Sequence, residues 1–239
     1  LESASGPERV GRYCFLGSSP FARFTAYGDR VEITESGRET TRQGENPLEA
    51  FRSYLQRFQL APVEGLPRFA CGAVGYMAYD VVRFIEELPD CPPDDRGLPD
   101  ILFMFFDQIL IFDHLNKTIK VVCSAQTEDT EPRQAYEQAT RRIDQTIKRL
   151  RTPVTRLSED ITPIGEIELP YESNFEREDY LKGVEKTKEY IKAGDIFQVV
   201  PSQRLSAETT ASSFDIYRAL RVINPSPYMF YLRMGGLKL

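Results

Sequence analysis

The longest apolar stretch of the chain, Ile101-Leu-Phe-Met-Phe-Phe106, sets the first constraint on its fold. It is far shorter than the roughly 18 residues a membrane-spanning helix needs, so it belongs to a strand rather than to a bilayer. Asp107 alone separates it from a second run, Gln108-Ile-Leu-Ile-Phe112, and the two read as one long or bulged strand. A polar break, His114-Leu-Asn-Lys117, then leads into residues 118–123. Two β-prone runs joined by so short a break form a hairpin, and the sheet here is expected to be antiparallel.

Helical periods are interleaved with these strands, the mark of mixed α and β structure. Residues 12–17, 30–34 and 68–74 read as further short strands. Asn46-Pro47 supplies a helix cap and a first-turn proline ahead of Leu48, Phe51, Leu55 and Phe58, which share one stripe. Tyr136, Ala139, Ile143, Ile147 and Leu150 recur at helical spacing and run into an Arg-rich turn, predicting a one-faced helix. Residues 152–170 hold three prolines and little periodicity, which divides the chain into residues 1–151, a linker, and residues 171–239. Ser173-Asn-Phe-Glu176 has the form of a capping box for a helix with Tyr180, Val184, Thr187 and Ile191 inward and Gly194 as its stop. Residues 196–205 return to strand, and Phe214, Tyr217 and Leu220 mark another helix.

Composition narrows the partners. The 239 residues are 41% hydrophobic and 28% charged, as in ordinary soluble domains. The net charge of -6 lacks the basic face that nucleic acid requires, so neither nucleic acid nor membrane is expected and a small-molecule partner is. The chain begins without Met and without a signal peptide, and is expected to be trimmed from a longer one. Cys14, Cys71, Cys91 and Cys123 form no CxxC pair and read as free thiols in a reducing cytoplasm.

Little of the sequence carries chemistry by itself. His114, the single histidine, falls in the hairpin turn beside Asp113 and reads as a solvated turn residue. Gly72-Ala-Val-Gly75 has too few glycines for a phosphate cradle, and close backbone packing accounts for them. Glu86-Glu87 and Asp94-Asp95 sit among prolines and read as solvated loops rather than metal ligands.

Two constellations stand out. In Asn224-Pro-Ser-Pro-Tyr-Met-Phe230, two prolines restrict the backbone on either side of Ser226. That turn presents Tyr228 and Met229 where a planar apolar ligand could be sandwiched, although a helix stop followed by a buried strand over 228–232 fits the same pattern. In the strand expected over 196–205, Ile196, Gln198 and Val200 share one face, which makes Gln198 an amide inside an apolar strand. Its hydrogen bonds would go to backbone or to a ligand.

Six ordered segments give a resemblance. Leu1-Glu2-Ser3, Gly11-Arg-Tyr-Cys-Phe-Leu-Gly17, Gly72-Ala-Val-Gly-Tyr76 with Tyr79-Asp80, Asp100-Ile-Leu-Phe103, Gly194-Asp-Ile-Phe-Gln-Val-Val-Pro-Ser-Gln-Arg204 and Asn224-Pro-Ser-Pro-Tyr-Met-Phe230 occur in the order found in the anthranilate synthase component I family. The chain resembles the N-terminal portion of such an enzyme. The resemblance implies an α+β fold of antiparallel β-sheets flanked by helices, the chorismate-utilising (ADC synthase-like) fold, truncated after Leu239.

It also implies a function. The complete subunit would convert chorismate and ammonia to anthranilate and pyruvate, with magnesium as cofactor, ammonia supplied by a glutamine amidotransferase subunit (component II), and tryptophan as feedback inhibitor. Carried over by position, Ser3, Pro227, Tyr228 and Met229 are the tryptophan contacts, with Glu2, Arg12 and Asn224 as further candidates. Gln198 is a candidate for the chorismate pocket, where similar isochorismate and salicylate synthases place a water-activating lysine; a neutral amide cannot be that base. The remaining catalytic residues and the magnesium ligands are expected beyond Leu239, so no metal ligand is assigned here and this chain alone should not turn over chorismate. Aminodeoxychorismate synthase component I of the folate pathway is similar in these segments. A catalytically silent tryptophan-binding module is an alternative of another class.

Overall fold

The computed structural model describes residues 1–2, 11–128, 130–154, 159–161 and 169–239. They fall in two compact units, one of Leu1–Glu159 with Asn224–Leu239, the other of Asp160–Ile223. One break lies inside the stretch read as a linker, and the closing segment belongs with the first unit.

In the first unit, β1 (Tyr13–Gly17) is followed by a meander of β2 (Ala22–Tyr27), β3 (Arg30–Glu35) and β4 (Arg38–Arg42). Helix α1 (Pro47–Leu55) comes next, and Asn46 caps it as expected, its side-chain oxygen accepting from the Leu48 and Glu49 amides at 2.9 and 3.4 Å. After α1 come β5 (Gly72–Met77), a 3-10 turn over Tyr79–Phe84, β6 (Ile101–Phe106), β7 (Gln108–Asp113), β8 (Thr118–Cys123) and helix α2 (Pro132–Arg151). The strand expected over 68–74 instead begins at Gly72, where pairing with Phe106 starts.

β6 and β7 are not one strand. β6 lies in a five-stranded sheet ordered β4-β3-β2-β6-β5, and β7 lies in a three-stranded sheet ordered β1-β7-β8. Every pairing in both is antiparallel, and the β7–β8 hairpin runs from Gln108 opposite Cys123 to Asp113 opposite Thr118. Asp107 is the corner between the sheets. Side chains alternate along β6, so Ile101 and Phe105 join Phe24, Val31, Phe51 and Tyr54 in one cluster beside α1. Leu102, Met104 and Phe106 join Ile109 and Ile111 in a second. The unbroken apolar run is what a strand buried on both faces requires.

Helix α2 packs against β8 and is tied to the corner. The Arg142 guanidinium grips both Asp107 oxygens at 2.7 Å, and the Gln108 amide donates to Thr146 Oγ1 at 2.6 Å. The buried residues of α2 are Ala135 and Ala139; Tyr136, placed inward by the periodic stripe, is exposed.

The second unit contains β9 (Glu172–Ser173), α3 (Arg177–Ala193), β10 (Leu205–Ser206) and α4 (Ser213–Ile223). Two expectations are corrected there. Ser173 does not cap α3: it sits in β9, its hydroxyl accepts from the Phe175 amide at 3.2 Å, and the helix begins after Glu176 without a side-chain cap. Residues 196–204 are not a strand, because β9 is two residues long and its pairing with β10 extends no further back than Arg204. Gly194 does end α3, in the left-handed conformation (φ 83°) that a glycine adopts without a Cβ clash.

The chain returns to the first unit with a hairpin of β11 (Arg233–Met234) and β12 (Leu237–Lys238), turning at Gly235-Gly236. Met234 enters the second cluster beside Leu232 and Leu237. No described helix is long and apolar enough to cross a membrane.

Candidate functional site

Leu1 and Glu2 extend the three-stranded sheet beyond β1. The Leu1 nitrogen donates to the Phe15 carbonyl at 3.0 Å, and the Phe15 amide returns a bond to Leu1 at 2.8 Å. Glu2 and Met229 then exchange two backbone hydrogen bonds of 2.8 Å each, an antiparallel bridge. Positions 2 and 229 are backbone neighbours. Met229 is 7% exposed and Tyr228 83% exposed, the alternation of extended backbone, with Phe230 also outward. The Tyr228 amide donates to Ser226 Oγ at 3.2 Å, which closes the proline-flanked turn. Pro227 is half-buried and Asn224 exposed. Ser3 lies outside the described residues.

One layer along, Arg12 and Asp113 form a bidentate pair, with Nε and Nη2 donating to the two carboxylate oxygens at 3.1 and 2.9 Å. Asp113 is buried and also accepts from the amides of Leu115 and Asn116, both at 3.2 Å, and from Asn116 Nδ2 at 2.9 Å. The Arg12 guanidinium, with the Asn116 donors, holds the Asp113 carboxyl well below the usual carboxylate range. His114 is exposed as expected, yet its Nε2 lies 3.0 Å from the Cys14 thiol, which is in turn 4.0 Å from the Glu2 carboxylate. Sequence reasoning missed both groupings. The available signal was the β1–β7 register, which sets Tyr13 opposite Asp113, and that register is a tertiary fact.

Gln198 is placed differently from its expectation. It is exposed in the second unit, and Phe197 beside it is 93% exposed, because the segment has no ladder to alternate in. The Asp94 carboxylate accepts from the Arg96 and Gly97 amides at 3.0 and 2.9 Å and so closes a turn. Among the described residues, no group of three or more His, Cys, Asp or Glu side chains could hold a metal ion.

Two packed antiparallel sheets with flanking helices define the α+β class found in a chorismate-utilising enzyme. The crystal structure of anthranilate synthase component I from Streptococcus pneumoniae TIGR4 matches with a TM-score of 0.77 and 28% identity, over 95% of this chain and 49% of that one. A family model described as chorismate binding enzyme matches residues 4–239. The chain belongs to the chorismate binding enzyme family, as the ordered segments had indicated. Anthranilate synthase component 1 of Acetivibrio thermocellus is 42% identical over 243 residues, covering 100% of this chain and 49% of the relative. That of Pseudomonas aeruginosa is 41% identical over 239 residues, covering 98% and 48%. The chain spans about half the length of the curated relatives it matches.

Proposed function

We propose that the chain is the N-terminal portion of anthranilate synthase component I, in which chorismate and ammonia become anthranilate and pyruvate. The observation that carries this reading is identity of 42% and 41% to proteins of that name along essentially the whole chain. In the complete subunit ammonia would add to the chorismate ring as the ring hydroxyl leaves as water, and loss of pyruvate with a ring proton would then give the aromatic amine. A glutamine amidotransferase subunit, component II, releases that ammonia. Gln198 suits this chemistry because neutral ammonia is nucleophilic enough to add without a lysine base, whereas water must give up a proton to a base as it attacks. Magnesium would supply charge for the substrate's carboxylates. Among the described residues no group of His, Cys, Asp or Glu side chains offers a ligand set for it.

Tryptophan is read as the inhibitor, bound by Ser3, Pro227, Tyr228 and Met229, with Glu2, Arg12 and Asn224 as further candidate contacts. The Glu2–Met229 bridge supports this, since it brings the two ends of that set together. The exposed Tyr228 ring, carried on a backbone held by its turn, offers a flat apolar surface to an indole. Inhibition then requires tryptophan to prefer a state with poor chorismate affinity. The free thiols are consistent with a cytoplasmic enzyme.

The test is turnover by the full-length gene product with chorismate, magnesium and ammonium, followed by anthranilate fluorescence while tryptophan is titrated. Anthranilate formation suppressed by tryptophan is expected. Aminodeoxychorismate as the product would replace this reading with the folate-pathway relative, and tryptophan binding without any turnover would leave a silent binding module.

A further inference from the structure

Arg12 carries a charge suited to an amino-acid carboxylate, but its guanidinium is committed to its own fold. Nε and Nη2 face the two oxygens of Asp113, whose side chain is completely enclosed. The guanidinium lies over the Tyr13 ring, 4.7 Å from its centroid. Swinging it toward a ligand would leave Asp113 charged, buried and without its cation, a heavily penalised state. Two separate features connect this pair to the bridge. The Arg12 carbonyl accepts from the His114 amide at 2.8 Å, so Arg12 fastens the start of β1 to the β7–β8 hairpin through backbone and side chain together. β1 is in turn the template for the next layer, with Phe15 holding Leu1 by two bonds and Glu2 holding Met229 by two more.

We propose that Arg12 is a positioning residue of the amino-acid site and not one of its ligands: through Asp113 it fixes β1, and β1 fixes the Glu2–Met229 bridge on which the pocket is built. This rests on the tryptophan reading above and refines the place of Arg12 within it. A residue acting in this way affects every ligand of the pocket alike, whether or not the ligand has a carboxylate.

The test uses the full-length gene product with Arg12→Ala, Asp113→Asn and the double variant. Calorimetry measures affinity and stoichiometry for L-tryptophan and for L-tryptophanamide, which lacks the carboxylate. Hydrogen exchange of the Glu2 and Met229 amides is followed without ligand. Each single variant is expected to weaken tryptophan roughly tenfold, the scale of one lost charge-assisted hydrogen bond, at unchanged stoichiometry. Tryptophanamide should weaken by the same factor, the double variant should lose no more than either single one, and both bridge amides should exchange faster. Loss of tryptophan with tryptophanamide spared in Arg12→Ala, and neither affected in Asp113→Asn, would make Arg12 a carboxylate ligand and overturn the proposal. Unchanged tryptophan affinity in Arg12→Ala would also overturn it. Should Asp113→Asn fail to fold, Arg12→Gln replaces it and the exchange of the two bridge amides decides. A wild-type protein that binds no tryptophan, yet releases those amides on Arg12→Ala, defeats the tryptophan reading and leaves the positioning of the bridge intact.

Discussion

A methyl group on Gly75 would stand 1.9 Å from the Leu102 carbonyl oxygen and 2.6 Å from the Phe103 Cα. Both are backbone atoms of the paired strand β6, so neither can swing aside, and β5 itself must move. Gly75→Ala is therefore expected to destabilise the first unit by about 2–3 kcal/mol, read as a lower urea midpoint. Gly183→Ala on α3 has open space around the added carbon and should instead stabilise that helix by about 0.5–1 kcal/mol. Close packing was legible at Gly75 because the Gly-Ala-Val-Gly pattern fails as a phosphate loop, although the partner strand was not. Cys71 is a second residue whose surroundings matter more than its type. Burial, opposed by a backbone hydrogen bond from Ser124, pushes its thiol up to about 11. A raised thiol pKa means that the neutral form is the one the fold favours. Its contribution is full below the ordinary thiol range and is lost as pH rises toward 11. With iodoacetamide at pH 8, peptide mapping should find the exposed Cys91 labelled first and Cys71 far behind. Equal rates at the two positions would contradict that burial.

The corner at Asp107 shows what a local pattern can and cannot say about an element. The apolar runs on either side are alike in composition, and one long strand was the natural reading of them. What splits them is Arg142, far along the chain on α2, which gives the Asp107 carboxylate two bonds of 2.7 Å, while the Ser124 amide holds the Asp107 carbonyl at 2.7 Å. No window around residue 107 contains that information. Strand β4 was invisible for a different reason: Arg-Glu-Thr-Thr-Arg has no apolar residue, is exposed along its length, and exists only through its ladder with β3. Its charges also protect the sheet edge from a second chain. Helix α1, by contrast, was legible from its cap and proline alone. The Asp107–Arg142 pair should be measurable as an element-scale coupling. Either alanine variant is expected to lose about 1–3 kcal/mol, less than a fully buried pair because Arg142 is partly exposed. In a double-mutant cycle the two losses should fall short of additivity by at least ~1 kcal/mol, and additive losses would mean that α2 is held by other contacts.

At the scale of the molecule, the order of motifs along the chain was readable and their convergence was not. The opening Leu-Glu and the Pro-Tyr-Met turn were paired in advance only by resemblance, since a two-residue bridge leaves no periodic trace in either segment. The same limit explains Gln198: alternation fits a strand, but a strand needs a neighbour, and among the described residues the β9–β10 pairing stops at Arg204 without reaching residues 196–203. The described residues of the second unit also lack the apolar burial that sustains the first. Both hydrophobic clusters are built from first-unit residues, whereas α3 and α4 have no buried residue. Leu181, Tyr190, Phe214, Leu220 and Val200 are all exposed. Helices of 17 and 11 residues are marginal in water without tertiary packing, because nucleation is costly and each added bond gains little. The 239-residue chain should therefore open in parts rather than as one cooperative unit. Amides of β2, β3 and β6 should exchange only with global unfolding of the first unit. Those of α3 and α4 should exchange orders of magnitude faster, and circular dichroism should lose helix at lower urea than the near-ultraviolet signal of the Phe51, Tyr54 and Phe105 cluster is lost. Coincident transitions by the two probes, with α3 as protected as β6, would require apolar burial of α3 and α4 and so contradict their exposure here.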